Sequence, residues 1–303
     1  MHEHEHSHPA LRAASHTLVG ALALTLGFAV VEALAGWWSG SLALLGDAGH
    51  MVTDTTALGL AAFASSLARR PPTTKHSYGL GRAEVVAAFI NGLFMLGVVA
   101  GIVVAAVDRL LTPRPVAGGA VMGVAALGLI INILVAFRLS RGEKTLNTRA
   151  ALLHVIGDLL GSVAALFAGL VIYFTGWTPI DPILSLFICA LILYSSVRLL
   201  RDVLHVIMEG VPLHLDLPEV GRAMAGVDGV TSVHDLHIWT LSSGLVALSA
   251  HVVIHDMTVW ETILGALRHE LHERYGIEHV TLQPEPTTHF IRPVTIEQRS
   301  APR

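Results

Sequence analysis

The sequence predicts a bundle of six transmembrane helices followed by a small α+β domain in the cytoplasm. Three observations carry this expectation. Of the 303 residues, 53% are hydrophobic and only 14% are charged, against about 25% charged in soluble domains, and the mean hydropathy is +0.63. The apolar residues fall into six runs near the ~20 residues that a helix needs to cross ~30 Å of hydrocarbon. After Glu209-Gly210-Val211-Pro212 the composition turns to that of a soluble domain.

The opening residues MHEHEHSHPALRAASH are too polar for a secretory signal, so the first apolar run is expected to be a retained span. Residues 1–15 form a histidine-rich tail in which His2, His4, His6 and His8 alternate with Glu3, Glu5 and Ser7. Such a tract either holds metal loosely or is simply solvated. The spans are placed at 16–38, 41–67, 83–110, 117–138, 150–175 and 179–200, within a transmembrane domain of 16–208. Basic residues set the orientation. Arg12 precedes the first span; Arg69, Arg70, Lys75 and Arg82 join the second to the third. Arg138, Arg141, Lys144 and Arg149 join the fourth to the fifth, and Arg198 and Arg201 follow the sixth. The loops near Ser39 and Gly176 carry none, and the remaining one only Arg109 and Arg114. Both termini are therefore expected in the cytoplasm of a multi-pass protein of the cell (plasma or inner) membrane.

Residues 209–290 read as helix (216–226), strand (VTSVHDLHIWTL), strand (LVALSAHVVIHD), helix (258–275) and strand (HVTLQPE). In about 80 residues this order suggests an open-faced α+β sandwich. Residues 291–303 close the chain as an expected disordered tail.

Two identical patterns lie within the apolar runs: His50-Met51-Val52-Thr53-Asp54 and His154-Val155-Ile156-Gly157-Asp158. Positions i and i+4 share a helix face, so each offers an imidazole and a carboxylate to one neighbour. Acids inside a span normally face a partner, a cavity or an ion. Two facing pairs supply two nitrogens and two oxygens, a donor set suited to tetrahedral Zn²⁺; the alternative is a hydrogen-bonded network that only holds the bundle together. Asp47, at i−3 from His50, is a candidate access-path residue on the same face. Glu32 and Asn91 are equally compatible with lining a cavity and with helix–helix hydrogen bonding. Cys189, the only cysteine, excludes an intrachain disulfide and a thiolate-rich cage, and reads as a packing thiol. In the soluble part, a hairpin turning at Ser242-Ser243 would set His234 opposite His251, their Cβ atoms about 4.5–5.5 Å apart. His237 and His279 are nearby accessory candidates, and the alternative is a structural hairpin with solvated histidines.

The stretches LLGDAGHMVTD, HSYGLGRAE, HVIGD, MEGVP, SVHDLHIWTL and HVTLQPE make the chain resemble, over nearly its whole length, the cation diffusion facilitator family of proton-coupled zinc exporters. The resemblance implies a cytoplasmic ferredoxin-like (metallochaperone-like) domain, a homodimer, metal/H⁺ antiport, and transported metal on His50, Asp54, His154 and Asp158. It adds Glu285 to His234 and His251 as a cytoplasmic metal site, structural or regulatory. Relatives with Asp at the first histidine are associated with broader selectivity, cadmium included, so His50 favours Zn²⁺ as cargo, with Cd²⁺ or another divalent cation as a lesser one. Some members bind a further metal in the second loop with two histidines; here His76-Ser77-Tyr78-Gly79-Leu80 lacks the second, and His76 is expected to be solvated. In relatives a basic residue of this loop pairs with an acid near the end of the sixth span, which points to Arg82 and Glu209.

Function classes narrow accordingly. The net charge of −4 argues against nucleic acid; membrane lipid, Zn²⁺ and H⁺ are the expected partners. No G-x-x-x-x-G-K-[ST] loop accompanies the spans, which disfavours a self-contained ATP-driven pump. An intramembrane metalloenzyme is disfavoured by the lack of an H-E-x-x-H helix and of an obvious general base. A metal sensor would not require ligands at mid-bilayer depth. The expected protein is a secondary transporter, with no enzymatic activity and no resident cofactor.

Overall fold

In the computed structural model, residues 9–141, 146–242 and 244–287 are described, the side chains of 9–23, 139, 141, 146–151, 153 and 154 excepted. Residues 1–8 of the histidine-rich tail, the α4–α5 connection, Ser243 and the C-terminal tail lie outside the described residues, and the first helix already begins at Pro9, before the expected start at 16. The elements are α1 (Pro9–Ser39), α2 (Leu42–Ala68), α3 (Ala83–Leu111), α4 (Gly118–Arg141), α5 (Leu146–Thr175), α6 (Ile180–Ile207), α7 (Leu217–Ala225), β1 (Val230–Ser242), β2 (Leu245–Ile254), α8 (Trp260–Tyr275) and β3 (His279–Pro286). Among the described residues five helices, α2 to α6, are long and apolar enough to cross a membrane; within α1 the apolar stretch with described side chains is Leu24–Ser39. The sixth helix runs to Ile207, beyond the expected end at 200.

Two compact units form: residues 1–62 with 88–200, and 63–87 with 201–303.

Within the first unit, small residues allow close helix packing, the usual device where lipid supplies no hydrophobic drive between helices. A Cβ at Gly169 of α5 would stand 2.6 Å from the Met122 backbone nitrogen of α4. Ala43 and Leu44 of α2 meet Val121 and Ala125 of α4 and Ala165 of α5. Cys189 is buried among Met95, Val99, Ile188 and Ile192, as a packing thiol would be. The start of α2 is built around two side chains. Ser41 caps the helix, its Oγ accepting from the Leu44 N–H at 3.2 Å. Asp181, at the start of α6, accepts from the Ser41 hydroxyl and from the Leu42 and Ala43 N–H groups at 2.7 and 3.3 Å. Arg109 of α3 stands 3.8 Å from the same carboxylate and donates to the Gly40 carbonyl. A carboxylate from one helix thus satisfies the orphan donors of another.

The second unit contains the soluble α–β–β–α–β domain. Asp216 caps α7 by accepting from the Glu219 N–H at 2.7 Å. Gly276, at φ +65°, closes α8 in the left-handed conformation that glycine adopts without strain. Val220 and Met224 of α7 and Ile263, Leu267 and Leu271 of α8 cover one face of the sheet, against Ile238, Leu248, Ala250, Val252 and Ile254. The strand order is β1-β2-β3; β1 pairs antiparallel with β2, and β2 parallel with β3, the crossover that α8 makes possible. Strand β3 carries Pro284 and Pro286.

His234 does pair with His251, but the hairpin does not turn at Ser242-Ser243: Ser242 pairs with Leu245. Register slips between Thr240 and Ser242 and between His234 and His237 each place one extra residue on β1, and together they restore the pair. A third slip lies between Val230 and Ser232, so the 13 residues of β1 run beside the 10 of β2. At the middle slip Asp235 adopts φ +52°, a left-handed conformation that Asp tolerates better than most residues.

Candidate metal centres

The helical spacing places His50 and Asp54 one turn apart on α2, with the His50 Nε2 3.4 Å from the Asp54 Oδ2. Helix α5 brings Asp158 to the same imidazole, its Oδ1 4.0 Å from the His50 Nε2. Asp158 is buried, whereas the His50 and Asp54 side chains keep about a fifth of their surface exposed. His154 lies on α5 one turn before Asp158; its side chain is outside the described residues. Three members of the sequence-derived quartet therefore share one locality, although their donor atoms do not all lie within 4.8 Å of one another.

Two further buried acids surround this locality. Asp47, on α2, is seated against α5 where there is no side chain: a Cβ at Gly161 would be 2.7 Å from the Asp47 Oδ1. Glu32, on α1, is seated likewise against α4, where a Cβ at Gly128 would be 3.3 Å from the Glu32 Oε1. Both are 2% exposed or less. Asn132 of α4 donates to the Ser162 hydroxyl of α5 at 3.2 Å, a polar contact that sequence reading did not single out. Asn91 is half-buried on α3.

The second site lies on the sheet face opposite the helices. The cross-strand pair brings the His234 and His251 rings to 5.2 Å between centroids. Glu285 of β3 joins them: its Oε2 is 3.0 Å from the His234 Nε2 and its Oε1 2.7 Å from the His251 Nδ1. Among the described residues this is the one His/Cys/Asp/Glu group of three whose donor atoms lie within 4.8 Å of one another. Desolvation pushes the Glu285 carboxyl up, but hydrogen bonds from His234 and His251 outweigh it and hold the group below its ordinary value. Sequence reading missed Asp235. Its left-handed backbone aims the carboxylate so that Oδ2 is 3.8 Å from the His251 Nε2, while Oδ1 is 3.0 Å from the His237 Nε2. The only sequence signal would have been a residue tolerant of positive φ between two histidines. His237 thus reaches Asp235 rather than the trio. His279 begins β3, six residues and roughly 20 Å along the strand from Glu285, and packs edge-on to Tyr78 at 5.5 Å.

In the second loop His76 is exposed and its backbone exchanges hydrogen bonds with Thr73. Arg82 and Glu209 form an ion pair at 3.0 Å with both side chains exposed.

Comparison with known proteins places these sites in context. Residues 18–208 match the family model described as the cation efflux transmembrane domain, and residues 212–287 match that of the cation efflux protein cytoplasmic domain. The zinc transporter ZitB of Escherichia coli (strain K12) is 44% identical over 287 residues, covering 94% of this chain and 91% of the relative. The cadmium, cobalt and zinc/H⁺-K⁺ antiporter of Bacillus subtilis (strain 168) is 40% identical, covering 87% and 86%. Among solved structures, the metal-bound C-terminal domain of the CzcD transporter from Cupriavidus metallidurans is 41% identical, covering 23% of this chain and 99% of that one, with a TM-score of 0.22.

Proposed function

Because the chain belongs to the cation diffusion facilitator family of cation efflux transporters, we propose that it exports Zn²⁺ from the cytoplasm in exchange for H⁺, loading the ion between His50, Asp54, His154 and Asp158. The protein is a multi-pass membrane transporter rather than an enzyme. The observation that carries the cargo site is the approach of Asp158 on one apolar helix to His50 on another. Two imidazoles and two carboxylates match the tetrahedral N/O coordination that Zn²⁺ takes, and the name of the Escherichia coli relative supports zinc. The Bacillus relative's name supports H⁺ as a counter-ion and cadmium as a lesser cargo.

Imidazole titrates near pH 6.5 and binds metal only when neutral, so proton and cation compete for the same groups. An inward-facing site at cytoplasmic pH loads Zn²⁺. Rearrangement toward a more acidic outer side protonates the ligands and releases it.

His234, His251 and Glu285 form a second, cytoplasmic metal position in this reading, supported by a donor set already gathered within 4.8 Å; His237 and His279 are not ligands there. The cytoplasmic domain's match to a dimerisation family supports a homodimer. Both termini are assigned to the cytoplasm of the cell membrane from the loop charges.

The test is Zn²⁺ uptake by the purified protein in vesicles with internal zinc and pH dyes. Uptake that rises with an imposed pH gradient and collapses with a protonophore is the expected result. Zinc flux indifferent to the gradient, with no signal from the pH dye, would argue for a channel or uniporter.

A further inference from the structure

Glu32 has no part in the cargo site just described, yet it is buried to 0% exposure in the middle of an apolar helix. It lies on α1, which supplies no cargo ligand. Neither carboxylate oxygen has a hydrogen-bond partner among the described residues. Phe28, Ala29 and Met51 form the apolar cluster beside it, and Gly128 leaves it room on α4: a Cβ there would approach the Glu32 Oε1 to 3.3 Å and the Phe28 ring to 2.6 Å. The other buried acids around the cargo locality are Asp47 of α2, seated at Gly161 of α5, and Asp158 of α5. On α4 the charged residues are Arg138 and Arg141, ten and thirteen residues from Gly128 and thus roughly 15–20 Å away.

We propose that Glu32 carries a counter-transported proton of its own, on a carboxyl distinct from the groups that hold the cation and in addition to the protons that the cation's ligands exchange. An ionised carboxylate without hydrogen bonds in such a place costs several kcal/mol, and a protonated one far less. With the cargo site empty, Asp158 and Asp47 add negative charge to the same low-dielectric space, and Glu32 holds its proton. When Zn²⁺ enters beside Asp158, its two positive charges favour the ionised form. The O–H bond of the Glu32 carboxyl then breaks, the proton leaves and the electron pair remains on the carboxylate; when the cation departs, a proton from the other side re-forms the bond. Exchange at Glu32 requires no atom shared with the cation, only a shared electrostatic space. The two glycines keep the carboxylates of α1 and α2 seated against α4 and α5, so movement of one helix pair against the other changes the coupling directly.

This inference rests on the Zn²⁺/H⁺ antiport reading, and the experiment separates the two. Full-length parent and Glu32→Gln are placed in vesicles with internal zinc and pH dyes, and their Zn²⁺ binding is measured at neutral pH and above. The parent moves protons against Zn²⁺, and a one-unit gradient supports up to about tenfold accumulation for each proton exchanged. Glu32→Gln, which mimics the protonated carboxyl, still binds Zn²⁺ but more weakly than the parent, the gap widening as pH rises; it exchanges fewer protons per ion, with a smaller accumulation and pH-dye signal, and Glu32→Asp restores part of each. A parent without proton movement defeats the antiport reading and this inference together. A parent that exchanges, with Glu32→Gln exchanging at the same ratio, overturns this inference alone. A measurement on the unaltered chain covers the case of a poorly folding variant. Dicyclohexylcarbodiimide, which modifies protonated carboxyls in apolar surroundings, should label Glu32 in the zinc-free protein, and saturating Zn²⁺ should suppress the label. Equal labelling with and without Zn²⁺, or none at Glu32, refutes the assignment.

Discussion

Replacing Asp158 by Asn removes one negative charge from the proposed cargo site while keeping the side chain's shape. Asp158 is 2% exposed, so water screens its attraction for a cation very little. Removing one member of such a buried charged set costs about 3–5 kcal/mol, which corresponds to a roughly 10²- to 10⁴-fold loss of affinity. The Asp54 side chain, 22% exposed, is more strongly screened, so Asp54→Asn should weaken binding less, by about 1–2 kcal/mol or roughly five- to thirtyfold. The assay is Zn²⁺ titration of the purified full-length protein against a chelating dye, in a background carrying His251→Ala and Glu285→Ala so that only the membrane site is read. Transport in vesicles should fall in the same order, and unchanged melting midpoints would show that the fold is intact. Parent-like affinity for Asp158→Asn, or a larger loss for Asp54→Asn, would refute the reasoning and place the cargo elsewhere.

Other outcomes follow from single features. His50→Asp exchanges a nitrogen donor for an anionic oxygen and relaxes geometry-based discrimination, so competitive uptake should shift toward Cd²⁺ relative to Zn²⁺; an unchanged ratio in an active variant would show that His50 does not set selectivity. Asp181→Ala leaves the Ser41, Leu42 and Ala43 donors and Arg109 without their acceptor and should destabilise the helix bundle by about 3–5 kcal/mol, with Asp181→Asn milder; a parent-like melting midpoint for the alanine variant would contradict the capping role. The native Glu285 carboxyl sits below its ordinary value, so its stabilising contribution is present above the unfolded value near pH 4.3 and lost as pH falls through the lower native value. The gap in melting midpoint between the parent and Glu285→Gln should therefore be open at pH 7 and narrow as pH falls below the unfolded value; a gap that widens on acidification would contradict the hydrogen-bonding account.

Much of this was legible in the chain itself. The apolar runs gave the spans, and the i, i+4 spacing of His50 with Asp54 needed only helix geometry. The paired histidines of the hairpin were found with the wrong turn, because two slips on β1 offset an error that alternation alone cannot detect. Asp181 was invisible for a different reason: the donors it satisfies lie about 140 residues earlier, and no local pattern announces an acceptor supplied from another helix. The seating of Asp47 and Glu32 over Gly161 and Gly128 depends on how each helix is rotated about its own axis. Packing fixes that rotation, and glycines in apolar spans serve too many purposes to be read singly. Asp235 owes its place beside His251 to a backbone conformation that a sequence only permits.

The irregular β1 strand and the prolines of β3 have a consequence for association. A sheet grows by offering a regular row of unpaired N–H and C=O groups to another strand. Along β1 that row is broken at three places, and along β3 Pro284 and Pro286 have no N–H to give. Both borders of this small sheet, as described, are therefore poorer templates for a further strand than a regular edge would be. Copies of the domain that associate are thereby steered toward contacts through side chains on their faces, helices or loops rather than through sheet extension, which also works against fibrous stacking at a crowded membrane surface.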